Sequence, residues 1–134
     1  MKQSLLQHEY AVYSLEVEKT GTRFSNVDEI IDYLKTCIDD HNTARFIALY
    51  DHYTHTSELP EGQISDKILD AKHIVFCFGI TLPDPLMMAV RPRSIGVVEM
   101  TGSFLITFLE APMPVANVAM EKWAQGICNH GSAP

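Results

Sequence analysis

Between Arg45 and Thr56 the chain reads RFIALYDHYTHT, and this stretch most narrows the folds open to it. Phe46 to Tyr50 is apolar, without Gly or Pro, and stops abruptly at Asp51-His52, with His55 three residues further on. A short apolar run that ends in titratable groups is how a sheet delivers polar side chains to its rim. Phe46, Ala48 and Tyr50 share one face, and Ile47, Leu49 and Asp51 the other. Both faces are apolar until the end, so Arg45 to Asp51 is predicted to be an internal strand. His52 then projects on the Tyr50 face and Asp51 on the opposite one.

The 134 residues suit one domain spanning 1–134 with a single real core, its tail fraying from about residue 129. Apolar residues make up 46% and charged residues 20%, which argues against disorder. The formal net charge of −7 disfavours a phosphate-binding surface, so no nucleic-acid partner is expected. It also disfavours adsorption to anionic lipid, and Arg91-Pro-Arg93 is the only hint of a basic patch. The most apolar run, Ile74 to Ile80, is far shorter than the ~20 residues of a spanning helix. MKQSLLQHEY carries no apolar signal core. The chain is therefore expected to be soluble and cytoplasmic. Cys37, Cys77 and Cys128 are widely spaced and form no CxxC pair, which points to reduced thiols, at least one buried, and away from a structural zinc site.

In order along the chain, Tyr10 to Glu18 alternates as a half-exposed strand. Thr20-Gly21-Thr22 breaks it. Ser25 or Asn26 then caps an amphipathic helix, Val27 to Asp40, with Asp28 and Glu29 in the first turn and Val27, Ile30, Ile31, Leu34 and Ile38 at helical spacing. The strand at Arg45 follows. Thr54 to Gln63 is polar, holds Pro60 and Gly62, and reads as a surface loop. In Ile64 to Lys72, Ser65 could cap a short helix. His73 to Phe78 is a second buried strand, ended by Gly79. Asp84-Pro85 starts a short helix, Leu86 to Val90, which Pro92 limits. Ser94 to Met100 and Ser103 to Leu109 flank Thr101-Gly102 as a hairpin. A closing helix carries Val115, Val118, Ala119, Lys122 and Trp123, with Gly126 near its end. The sum is an α+β fold, a mostly antiparallel sheet of about five strands with helices mainly on one face.

An amphipathic helix comes first, then a strand ending in Tyr50-Asp51-His52. A strand ending in Phe78-Gly79 follows, with Pro83 and Pro85 after it, then the Leu86-Met87 step. A Pro92-Arg93 entry leads to a hairpin that closes at Ala111-Pro112. In this order the chain resembles the family "domain of unknown function 302" (DUF302), or a sister family of small α+β proteins, over Leu15 to Pro112. The resemblance implies a compact α+β fold that often pairs as a homodimer, and it implies no activity.

Asp51, His52 and His55 are the foremost candidate site. Imidazoles titrate near neutral pH and are common ligands for borderline metals, so His52 and His55 are candidate ligands for a divalent metal, with Cys77 or His73 as a further donor. Asp51 could orient one ring. The bland alternative makes Asp51 a loop cap, His52 a rim residue bonded to backbone, and His55 solvated. Cys77 has no evident cation to activate it, and Cys128 reads as accessible and incidental. Arg93 could meet a carboxylate ligand, or pair with Asp84 or Glu99. Met87-Met88 reads as core packing rather than as a pocket wall. The expected function is a homodimeric protein that binds a small molecule through Asp51, His52, His55, Cys77 and Arg93. The rivals are an enzyme with His52 as general base, which could use a metal, and a purely structural or interaction protein.

Overall fold

A computed structural model describes residues 1–3 and 11–129. Tyr10 and the tail beyond Asn129, both covered by the expectations above, lie outside the described residues. The order is β1 (Val12–Glu18), α1 (Val27–Asp40), β2 (Arg45–Tyr50), α2 (His52–Glu58), β3 (Asp70–Cys77), a 3-10 helix (Pro85–Val90), β4 (Arg93–Glu99), β5 (Ser103–Leu109) and α3 (Pro114–Gln125). The five strands form one sheet in the order β1-β5-β4-β3-β2, every neighbouring pair antiparallel. This is the expected α+β architecture.

Local chemistry sets α1. Asn26 Oδ1 accepts from the Glu29 amide at 2.9 Å, and Glu29 Oε1 accepts from the Ser25 amide at 2.7 Å, so donors left over at the helix start are satisfied reciprocally. Val27, Ile30, Ile31, Leu34 and Ile38 form its buried stripe. That stripe lies on the sheet face carrying Ile74 and Phe76 of β3, Ile95 and Val97 of β4, and Phe104 and Ile106 of β5, all fully or nearly fully buried. Burial on this scale stabilises by about 1.5–3 kcal/mol for each large side chain. Met120, Trp123 and Ala124 of α3 complete the core.

Several expectations change. β2 is not internal; it is the sheet's edge, and Ile47 and Leu49 are each about half exposed. β3 and the β4–β5 hairpin occupy the interior, and β1 takes the far edge beside β5. The register slips between Phe46 and Ala48, a bulge of the kind common on edge strands. The segment from Thr54 is not all loop, because α2 runs to Glu58, and no helix forms in 64–72. Gly62 lets the chain turn back close to α2: a Cβ there would lie 1.9 Å from the Thr56 carbonyl oxygen.

Cys128 is buried, not accessible. A bridge to Thr22 and a hydrogen bond from the Asn129 amide to the Gly21 carbonyl, 2.9 Å, hold this end of the chain against the core. Asn129 is therefore anchored. Met88 is exposed and Met87 half-buried, so neither joins the core.

Candidate functional site

The predicted constellation divides between the two ends of the β2–β3 ladder, Tyr50–His73 and Arg45–Cys77. At the first end, Tyr50 lies opposite His73 in the ladder. The Tyr50 ring is surrounded by three imidazoles, with centroids at 5.3 Å for His52, 5.6 Å for His55 and 5.9 Å for His73. His52 Nδ1 and His73 Nε2 are 3.2 Å apart, so one ring donates a proton to the other. The Tyr50 hydroxyl bonds His55 Nδ1. Burial, and secondarily the neighbouring His52, push the His73 pKa below the ordinary imidazole range.

Asp51 acts as the N-cap of α2. Its Oδ1 accepts from the Thr54 amide at 3.0 Å and its Oδ2 from the Thr54 hydroxyl at 2.8 Å. The Thr54 amide is the first cause of a lowered carboxyl pKa, with the Thr54 hydroxyl and the Lys72 ammonium adding to it. His52 and His55 are exposed on α2. No group of three or more His, Cys, Asp or Glu side chains is arranged to hold a metal ion among the described residues. What this end offers chemically is a proton-sharing imidazole pair open to water.

The second end lies four residues along β3, roughly 13 Å away at strand rise. Here His41, Cys77, Phe78, Met87, Arg91 and Met113 are among the walls of a hollow, together with the buried Arg93. Asp51, His52 and His55 are not among its walls. The hollow holds about 530 Å³ of empty space, the open solvent at its mouth included. Phe78 stacks on Trp123, with centroids 5.6 Å apart and planes at 16°, which fixes the floor against the core.

His41 Nδ1 accepts from the amides of Thr43 and Ala44, both at 3.2 Å, which leaves Nε2 to carry the proton. Arg93 Nη1 donates to the Val90 carbonyl at 3.2 Å and Nη2 to that of Leu109, so its guanidinium clamps the end of the 3-10 helix to the end of β5. The expected Glu99 partner is taken by Lys19 at 2.7 Å. Asp84 caps the 3-10 helix, its Oδ1 accepting from the Leu86 amide at 2.8 Å.

A family model described as "Family of unknown function (DUF6858)" matches residues 1–129. The chain belongs to this family. DUF6858 carries no named activity in that description. Among solved structures the chain is similar to the "uncharacterized conserved protein DUF302 from Bacillus stearothermophilus". The identity is 15%, the match covers 82% of this chain and 79% of that one, and the TM-score is 0.56. That likeness shows a shared fold, and DUF6858 stands beside DUF302 as a sister in architecture. No curated protein matches.

For this DUF6858 chain, the structure thus brings Cys77 and Arg93 together at one end of the β2–β3 ladder and Asp51, His52 and His55 together at the other. Reasoning from sequence missed His41, Met113 and the wall-forming role of Arg91. His41 ends a helix, and its ring turns inward because backbone amides claim Nδ1. The only available signal was the Arg91-Pro-Arg93 pair beside an apolar stretch that has no periodicity. No helix among the described residues is long and apolar enough to cross a membrane.

Proposed function

We propose that the protein binds a small, predominantly apolar molecule in the hollow at the Cys77 end of β3. One observation carries this reading. Side chains from four separate stretches, around residues 41, 77–80, 87–93 and 111–116, converge on one mainly apolar recess with a few polar groups at fixed places. That is the usual form of a small-molecule site. The histidine cluster has comparable chemistry but lies on an exposed surface.

A thermal-shift screen tests the reading. A binder raises the melting temperature of the wild type by mass action. Val115 lines the hollow and is 63% exposed, so Val115→Glu places a charge there without disturbing the core. The expected result is a shift lost in Val115→Glu and kept in His52→Ala. A shift lost only in His52→Ala would move the site to the other end of the β2–β3 ladder.

A second reading concerns assembly, and the edge strand favours it: the protein pairs with its own copy through β2. Ile47 and Leu49 are exposed there. Antiparallel pairing about a two-fold axis brings Arg45 at one end of the strand toward Asp51 just beyond the other, so opposite charges meet. Sedimentation of the wild type and of Leu49→Lys tests it. A dimer that becomes a monomer in the variant supports the interface, and a monomeric wild type overturns it.

A further inference from the structure

Resting on the hollow as the binding site, we infer that its ligand is a single-headed anionic amphiphile of the alkanoate type, with its carboxylate on Arg91 and its apolar tail in the recess. The cation comes first. Arg91 is half-buried at the hollow; Nη1 donates to the Thr81 carbonyl and Nη2 lies 3.8 Å from Met113 Sδ. The ion pairs among the described residues are Lys19–Glu99, Lys35–Asp39 and those of Lys72 with Asp28 and Asp51; no carboxylate sits on Arg91. This is notable in a chain where 17 acidic residues outnumber 10 Lys and Arg. A guanidinium has five donors in a planar fork, and those still available suit a carboxylate. Arg93, by contrast, is buried and donates to carbonyls, so it braces the wall.

The shape of the apolar surface comes second. Ile80, Leu82, Leu86, Met88 and Val115 are each more than half exposed. Ile80 and Val115 line the hollow directly, and Leu82, Leu86 and Met88 lie in the chain between two of its wall residues, Ile80 and Val90. Exposed apolar side chains therefore stand in the wall of the recess itself, with a cation beside them. A tail lying over Ile80 and Val115 would cover side chains that otherwise face water. Insertion of this rim into a lipid bilayer is disfavoured by the net charge of −7 at anionic surfaces.

Trp123, the only tryptophan, stacks on Phe78 in the wall and reports occupancy by its fluorescence. The probes are decanoate and decanol below micelle-forming concentrations. The expected result is saturable decanoate binding, with decanol weaker by about tenfold, the value of one charge-assisted contact. Arg91→Gln should weaken decanoate by about tenfold and leave decanol unchanged, whereas Arg91→Lys should retain part of the preference. Met88→Ser should weaken both probes without changing their ratio.

Equal binding of the two probes, unaffected by Arg91→Gln, would overturn the anionic head and leave the hollow standing as a site. Saturation by neither probe, with uncharged compounds still shifting the melting temperature through Val115, would overturn the amphiphile alone. Saturation by neither, with no such shift from any compound, would remove both readings. Co-sedimentation with phosphatidylcholine vesicles that decanoate does not compete away would assign the rim to a membrane surface and overturn the inference.

Discussion

The β2–β3 ladder carries histidine at one end and cysteine at the other, and the two ends have become different kinds of place. Around His73 the aromatic rings of Tyr50, His52 and His55 gather on the surface of an edge strand and a seven-residue helix. Around Cys77 the walls come from remote parts of the chain and rest on Trp123, itself part of the core. The first end is rich in polar chemistry and poor in shelter. The second is sheltered and has few polar groups, each fixed by a bond to backbone. A cluster of reactive side chains is therefore not by itself a site, because binding also needs a surface that removes a ligand from water.

The contrast breaks most readily through stability. Trp123 is 8% exposed and packs against Phe76, Phe78 and His41. Trp123→Ala should cost about 3–5 kcal/mol in urea unfolding. His73→Ala, at the open end, should cost less than about 1.5 kcal/mol. Comparable losses would mean that the histidine cluster is as much part of the core as the hollow.

A smaller effect is expected at Asp51. Removing its cap by Asp51→Ala should cost about 1 kcal/mol, with loss of amide-exchange protection at Thr54 while the Ile74 amide in β3 stays protected. If both amides lose protection equally, α2 is integral to the sheet and not an appendage of it.

Acidification should separate the ends further. The folded state holds His73 neutral, with its pKa lowered from 6.5. Just below that value the unfolded chain binds the extra proton, so stability rises with pH there. The contribution is whole above about pH 6.5 and is lost as pH falls through the folded pKa. Melting temperatures from pH 8 to pH 5 should therefore fall more steeply in the wild type than in His73→Gln; parallel curves would show that the imidazole is not desolvated by the fold. The smallest stability change should come at the rim. Met88 is 62% exposed, so Met88→Gln should alter stability by no more than about 0.5 kcal/mol while weakening ligand capture. A large destabilisation would make the rim structural.

Much of this fold was legible in the sequence because periodicity reports which face is buried. The stripe from Val27 to Ile38, the hairpin around Thr101-Gly102 and the closing helix with Trp123 all appear where their spacing put them. Periodicity does not report neighbours. Phe46 to Tyr50 alternates like an interior strand, yet its position depends on β3, β4 and β5 filling the middle of the sheet. α2 escaped notice because HYTHTSE has no apolar stripe; its N-terminus is set by one capping carboxylate. Asp51 and His52 do emerge together at a margin, as expected, but that margin is an edge and the hollow lies elsewhere. The hollow was hidden because its walls are distant in sequence and meet only when the sheet is complete.

The strand order also dictates a sequence of events in time. Among the described residues β1 is the first strand, yet its ladder partner there is β5, with Val12 opposite Leu109. A nascent chain must carry β1 unpaired until β5 has been made, while β2, β3 and β4 can already pair under α1. Docking β1 closes a very long loop and is the costly late step, so the half-built sheet exposes its β5 edge to any competing strand until then.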